Sequence, residues 1–331
     1  MKMEKLRIGI AGAGGITRSV LQDLANGKMV QVEAIASRSL GKAKDYASRF
    51  GIARYYDSYE QLASDPNLDL IYIGTTNPYH REIALLMLQH DKHVLCEKPM
   101  GINASETEEM IEAAQQNNAF LMEAMWNRFL PCYRQALDMI RGGELGEIRH
   151  VDVNFSFMAA YDPSHRLFDP MNGGGAMLDV GVYTLAACTE VYQMEPEYMH
   201  ALVRKTPDHV DQAMAIQLQY PTGATAHSYI GMDARSDDGM KVYGTMGCLE
   251  MKGFWHPTGF MAAIKGRPVV AYTFDRSQVS YHYEFDHAAK CIQQGLKESP
   301  VMPLSDTLCI SRVSTALRNQ AGVHYPFEKE S

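Results

Sequence analysis

The sequence predicts an α/β protein in two halves, a doubly wound parallel sheet followed by an α+β half with a large, mostly antiparallel open sheet. Three observations carry this. Over about the first 120 residues, short apolar runs alternate with longer amphipathic ones, the pattern of strands feeding helices in a parallel sheet. Beyond about Met125 the rhythm changes to period two, as in Val151, Val153, Phe155 and Phe157, with Asp152, Asn154 and Ser156 turned the other way. Met214, Ile216, Leu218 and Tyr220 repeat the alternation before Pro221-Thr222-Gly223, a turn that returns the chain through Ala224 to Ile230. A length of 331 residues allows two domains with full-sized cores, and the change of period alone divides them into 1–122 and 123–331.

The elements follow in order. Leu6 to Ala11, Val30 to Ala36, Leu70 to Gly74 and His93 to Cys96 read as strands, and Ile16 to Asn26, Gly41 to Phe50 and Pro78 to His90 as the helices between them. Asn77-Pro78 supplies an N-cap followed by proline at the first helical position. Asn103 and Glu106 form a capping box for a helix running to about Asn118. Glu284 to Gln294 and a last segment after Ser305 read as helical.

Composition narrows the partners. The net charge of -8 comes from 39 acidic and 31 basic residues scattered along the chain, with no basic run able to follow a phosphate backbone, so no nucleic-acid partner is expected. No stretch approaches the roughly 20 apolar residues of a membrane span. Met1 to Arg7 is charged and leads directly into Ile8 to Ala11 without a long apolar leader, so a cytoplasmic location is expected. The six cysteines, at 96, 132, 188, 248, 291 and 309, lack ligand spacing and read as reduced, mostly buried thiols. No Asp/Glu/His cluster has such spacing either, so no metal is expected.

Immediately after the first strand stands Gly12-Ala13-Gly14-Gly15-Ile16-Thr17. Glycines there let the backbone bend sharply and approach a pyrophosphate at a helix N-terminus, which predicts a Rossmann-type dinucleotide site formed by Gly12, Gly14, Gly15 and Ile16. Thr17 replaces the third glycine of the usual fingerprint. The second strand ends in Ser37-Arg38-Ser39, where an acid would hold a ribose 2′-hydroxyl. A guanidinium suits a 2′-phosphate, so NADP is expected rather than NAD. The strand His93 to Cys96 ends in Glu97-Lys98-Pro99, which projects a lysine from the carboxyl end of a parallel strand, where open α/β sheets bind ligands.

Gly12-x-Gly14, Thr75-Thr76-Asn77-x-x-His80, Glu97-Lys98-Pro99 and Gly173-Gly174-Gly175-Ala176-Met177-Leu178-Asp179-Val180-Gly181-x-Tyr183 together resemble the glucose-fructose oxidoreductase/inositol dehydrogenase (Gfo/Idh/MocA) family. Met122 to Phe129 and Arg166-Leu167-Phe168-Asp169-Pro170 are most similar to its branch of dimeric dihydrodiol dehydrogenases and NADP-dependent xylose dehydrogenases. The resemblance implies hydride transfer between NADP and a hydroxyl or carbonyl carbon of a sugar, polyol, cyclic diol or related small molecule. It implies Thr75, Thr76, Asn77, His80 and Glu97 at the cofactor, and Lys98 positioning and polarising the reacting oxygen. Asp179 and Tyr183 carry over as the partners of Lys98; if their segment is helical, a separation of four puts both on one face. Many members have histidine where Tyr183 stands; the resemblance to the dihydrodiol dehydrogenase branch implies instead that the phenol transfers the proton, with a nearby ammonium such as Lys98 favouring its phenolate. Trp126, Arg128, His165, Arg166 and Phe168 are expected in the substrate pocket, with ordinary domain-interface packing as the alternative.

Two other functions fit the same fold. One is an NADP-binding regulatory protein without turnover, against which Lys98, Asp179 and Tyr183 together argue. The other is a redox-neutral, NAD-dependent glycoside hydrolase, against which Arg38 argues by favouring exchangeable NADP. A homodimer or higher homo-oligomer through the second half is expected, because a sheet with helices on one side leaves a partly apolar opposite face.

Overall fold

In the computed structural model, which describes residues 5–328, the apolar runs of the first part become β1 (Leu6–Ala11), β2 (Val30–Ala36), β3 (Arg54–Tyr56), β4 (Leu70–Ile73), β5 (His93–Glu97) and β6 (Leu121–Ala124). All pair in parallel, in the order β3-β2-β1-β4-β5-β6. Every residue of β4 and β6 is buried, as strands covered on both faces must be, which is why they read as continuous apolar runs. The order reverses between β1 and β4, where Ala11 lies opposite Ile73, and ligands of doubly wound sheets bind at the carboxyl ends of such a pair.

The helices α1 (Gly15–Leu24), α2 (Leu40–Phe50), α3 (Tyr59–Ala63), α4 (His80–Gln89) and α5 (Ala104–Gln116) connect the strands. The capping expected at Asn103 is present: its side chain accepts from Glu106 N at 3.0 Å, while the Glu106 carboxylate accepts from Ile102 N at 3.0 Å. The helix expected from Pro78 starts differently. Asn77–Tyr79 forms a 3-10 turn entered from Thr76, so Asn77 belongs to the turn and α4 begins at His80.

Residues up to Phe129 together with Ser280–Thr307 form one compact unit, and Leu130–Val279 with the chain from Leu308 form another. The first unit therefore includes α8 (His282–Gln293), which joins it through polar ties: Asp286 accepts from Met29 N at 2.9 Å, and Asp23 from Tyr281 N at 3.0 Å. A change of periodicity at residue 122 marks where the strand pattern alters and carries no trace of that return.

The second unit holds α6 (Pro131–Arg141), β7 (Ile148–Val153), β8 (Phe155–Ser156), α7 (Val182–Tyr192), β9 (Tyr198–Lys205), β10 (Asp211–Gln219), β11 (Thr225–Gly231), β12 (Gly239–Gly244), β13 (Gly247–Lys252), β14 (Gly259–Ile264) and β15 (Val270–Thr273). Its sheet runs β15-β14-β13-β12-β7-β11-β10-β9, antiparallel except where β7 and β8 pair with β11. The strand expected through Phe157 is split. Asn154 accepts from Tyr229 N with its side-chain oxygen at 2.7 Å and donates its backbone N–H to Gly239 O at 2.9 Å, which separates β7 from β8 and leaves Phe157 outside. Val151, Val153, Met214, Ile216, Leu218, Val242 and Leu249 are buried on one face, and α7, buried along its whole length, packs on β7 and β11. The register places Leu202, Tyr243 and Met261 on the opposite face, all exposed. Helix α9 (Leu304–Gln320) closes the chain, and no helix of the described residues is long and apolar enough to cross a membrane.

Burial of acids gives the fold a pH signature. Glu123 on β6 is enclosed and accepts from Met100 N at 3.0 Å, but burial pushes its carboxyl up to about 7. The folded chain thus holds that proton more tightly than the unfolded chain does, so the contribution to stability is full below about pH 4 and is lost as pH rises through 7. Glu123→Gln should flatten the fall in melting temperature between about pH 5 and 8, recovering on the order of 3 kcal/mol at the alkaline end. Parallel curves for the two proteins would contradict this.

Candidate active site

At the end of β1, Gly12 has φ +108°, and a Cβ there would lie 2.8 Å from the carbonyl oxygen of Gly74. Thr17, fully buried, donates its hydroxyl to Gly12 O at 2.9 Å. That bond explains how a threonine serves in place of the third glycine. Helix α1 starts at Gly15 with Gly14 as its N-cap, whose missing side chain leaves the first backbone N–H groups uncapped, and Gly14 O accepts from Tyr46 Oη at 2.9 Å. After β4, Thr75 Oγ1 is buried without a protein partner. A glycine cradle, an uncapped helix start and an orphaned hydroxyl are what a dinucleotide phosphate requires, so these residues fit the expected cofactor.

Ser37 is buried at the end of β2, and exposed Arg38 lays its guanidinium 4.3 Å from the centre of the Tyr79 ring. His80 is buried rather than open to a ligand. Its Nδ1 lies 2.9 Å from Pro99 O and its Nε2 3.2 Å from Thr75 O, and burial lowers its proton affinity. The neutral ring can donate to only one of these carbonyls, the closer Pro99 being the better placed. His80 therefore ties the segment after β4 to the Glu97-Lys98-Pro99 segment after β5.

The Lys98-Pro99 peptide is cis, and Lys98 is half-buried. Glu97, enclosed, accepts from Tyr72 Oη at 2.6 Å and from Lys98 N at 3.3 Å. Burial raises its affinity for a proton, against which the Lys98 charge and the Tyr72 hydroxyl act. On α8, Glu284 is fully buried with neither carboxyl oxygen hydrogen-bonded, and burial together with the charge of Glu97 holds its carboxyl well above the usual range. Trp126 is buried against Tyr281, with ring centres 4.5 Å apart.

In the second unit, Asp179 lies in a π-helical turn, Met177–Gly181, that runs directly into α7 and Tyr183. Such turns concentrate at functional sites. Arg166 reaches Asp179 Oδ1 with both terminal nitrogens at 3.1 Å. The Tyr183 ring packs 5.8 Å from Phe155, which stacks on Trp255 at 5.2 Å and 12°. His165 and Arg166 are exposed, whereas Phe168 is buried beneath Tyr161 and His165.

The profile of the oxidoreductase family with an NAD-binding Rossmann fold matches residues 6–125, and that of the GFO/IDH/MocA C-terminal domain matches residues 133–250. The chain belongs to the GFO/IDH/MocA oxidoreductase family. It is 34% identical to the trans-1,2-dihydrobenzene-1,2-diol dehydrogenase of Mus musculus over 98% of this chain and 99% of that protein, and 35% identical to that of Sus scrofa with the same coverage. Among solved structures, an aldose-aldose oxidoreductase from Caulobacter crescentus superposes with a TM-score of 0.88 at 26% identity, covering 96% of this chain and 98% of that one. A 3-ketoreductase from Actinomadura kijaniata, solved with NADP, gives 0.83 at 25% identity and the same coverage.

Among the residues expected in the pocket of this GFO/IDH/MocA oxidoreductase, the charged Arg128 stands apart. Arg128 is fully buried, and its Nη1 is paired with Asp306 Oδ2 at 2.7 Å within the first unit, so its charge is committed to the interior. Sequence reasoning also missed several groups beside the expected ones. Phe155 was legible only as a strand residue, and Trp255, Tyr72 and Glu284 carry no local motif. Their roles arise from elements far apart in the chain.

Gly12→Ala forces a side chain into a positive-φ position against Gly74 O, a strain of about 1–3 kcal/mol. The variant should melt earlier and lose most of the stabilisation that added nucleotide gives the wild type. An undiminished nucleotide-induced rise in melting temperature would remove Gly12 from the cofactor site.

Proposed function

We propose that this family member is an NADP-dependent dehydrogenase or reductase acting on the CH–OH or C=O carbon of a sugar, polyol or cyclic diol. The observation that carries the reading is the set of Asp179 held by Arg166, with Tyr183 one turn on beside the Phe155–Trp255 stack. Flat aromatic faces suit the C–H surfaces of a ring, and the charged pair suits its hydroxyls. The named activities of the similar proteins, on a dihydrodiol, aldoses and a keto group, point to the same class.

Bound NADP would accept or deliver the hydride, held by the glycine turn of Gly12, Gly14, Gly15 and Ile16, by Thr75, Thr76 and Asn77, and by Ser37 and Arg38 at its 2′-phosphate. The Lys98 ammonium polarises the reacting oxygen. Tyr183 takes the hydroxyl proton in oxidation and returns it in reduction. Lys98 and Tyr183 belong to different units, so their partnership is a matter for kinetics. The first unit thus binds the dinucleotide, and the second binds substrate and joins subunits. We place the enzyme in the cytoplasm as a homodimer or higher homo-oligomer, built through the sheet face that carries Leu202, Tyr243 and Met261.

The cofactor assignment is tested by titration. A charge-assisted phosphate contact contributes about 1.5–3 kcal/mol, so NADP should bind at least about tenfold tighter than NAD, and Arg38→Ala should abolish the difference. Equal affinities in the wild type would refute it. A screen of aldoses, inositols and cyclic diols at the nicotinamide absorbance identifies the substrate. With it, Lys98→Met should keep NADP binding and cooperative melting but lose turnover. Tyr183→Phe should cost about 10²–10⁴ in rate, and the double variant should be little worse than the poorer single one. Nucleotide binding without turnover of any substrate would favour the regulatory alternative. Light scattering that gave 37.0 kDa at micromolar concentration would rule out self-association.

A further inference from the structure

The first residue of β10 is Asp211, fully buried and remote in sequence from the segment it touches. Its Oδ2 accepts from Met177 N at 2.5 Å, while Oδ1 is buried without a hydrogen-bond partner. This N–H opens the turn that carries Asp179, where intrahelical partners are missing. Gly175 has φ +118°, and a Cβ on it would stand 2.1 Å from Asp211 Oδ1, so the carboxyl occupies the space that a side chain would fill. Gly174 is just as confined: a Cβ there would lie 2.7–2.9 Å from the carbonyl oxygens of Leu167, Arg166 and Asp169.

The same turn also seats the loop bearing Arg166. Gly175 N donates to Leu167 O at 2.9 Å, and Gly174 N to Asp169 O at 3.1 Å. From the C-terminal side, Tyr325 Oη donates to Gly174 O at 2.6 Å. Tyr325 is in turn fixed by its N–H to Glu328 at 3.0 Å and by the buried Arg318, whose guanidinium lies 4.8 Å over its ring and pairs with Glu328 at 2.8 Å. Asp211 and Tyr325 thus grip two peptides of the Gly173–Met177 turn, one on each side of the Gly175–Ala176 peptide. Both Asp179 and its partner Arg166 take their direction from that turn.

We propose that Asp211 is a positioning residue for the reaction: its hydrogen bond to Met177, together with its carboxyl packed against Gly175, fixes the turn that aims Asp179, Arg166 and Tyr183 at the substrate. The inference rests on the reading of Asp179 and Tyr183 as part of the reacting site. Its effect runs through hydrogen-bond acceptance, which an amide oxygen can also supply, so the conservative variant separates it from a need for charge.

Turnover of the validated substrate is measured for Asp211→Ala, Asp211→Asn, Tyr325→Phe and Tyr183→Phe, together with the Kd for NADP and amide exchange across residues 174–183. Asp211→Ala should lose about 10- to 100-fold in kcat with the Kd for NADP unchanged, since misplacement by about 1 Å is enough for such a loss. Exchange across 174–183 should accelerate with it. Asp211→Asn should restore kcat to within a few-fold of wild type and restore slow exchange. If Asp211→Ala does not fold, Tyr325→Phe carries the test through a several-fold fall in kcat at constant Kd for NADP. Wild-type kcat in Asp211→Ala, or in Tyr325→Phe where that variant is used, overturns the proposal while a crippled Tyr183→Phe keeps the catalytic reading. An Asp211→Asn variant as slow as Asp211→Ala also overturns it. Normal turnover by Tyr183→Phe removes the catalytic reading, and this proposal with it.

Discussion

The backbone of Gly12 and the carbonyl of Gly74 meet more closely than any side chain at residue 12 would allow, and the first unit is organised around that approach. It brings the carboxyl ends of β1 and β4 together at the point where the strand order reverses. Thr17 locks it by donating to Gly12 O, and its hydroxyl fills the space where a Cβ on Gly74 would stand, 2.8 Å away. The uncapped start of α1 follows directly. His80, at the start of α4, extends the same edge by donating to Pro99 O, so the segment bearing Lys98 is held to the one that follows β4.

Around that edge the first unit buries three glutamates. Glu97, Glu123 and Glu284 are all enclosed, and burial raises the proton affinity of each. Neighbouring buried carboxyls disfavour one another's charged forms, so each holds a proton more tightly than a free carboxyl does. Tyr72 donates to Glu97, and the Lys98 ammonium draws negative charge to it. The lysine expected to polarise a substrate oxygen is therefore set beside a buried acid whose charge depends on its neighbours.

The second unit solves a different problem. Its sheet buries one face beneath α7 and leaves the other with exposed apolar side chains, and the reacting groups sit where the π-helical turn enters α7. A π turn widens the helix and would drift without fixed ends. Asp211 holds its opening peptide, and α7, buried from end to end, holds its exit. The three consecutive glycines are explained by this crowding: two lie at positive φ, and the middle one is hemmed in by three carbonyl oxygens.

The sequence alone determined the strand-and-helix alternation of the first unit, the glycine turn, the lysine at the end of β5, the two-faced sheet and the family. Each is local: a period, a turn or a motif is written in adjacent residues. Tertiary structure decided what depends on distant segments. It placed α8 in the first unit and broke the strand at Asn154 through the side-chain bond to Tyr229 N. It enclosed Arg128 with Asp306, although the same residue reads as a pocket cation in its motif. It set Phe155 between Tyr183 and Trp255, and Asp211 against the glycine turn, pairs that no spacing in the chain announces. A side chain's burial and partners are fixed by the strands and helices that close around it, and those contacts form only when the chain has folded.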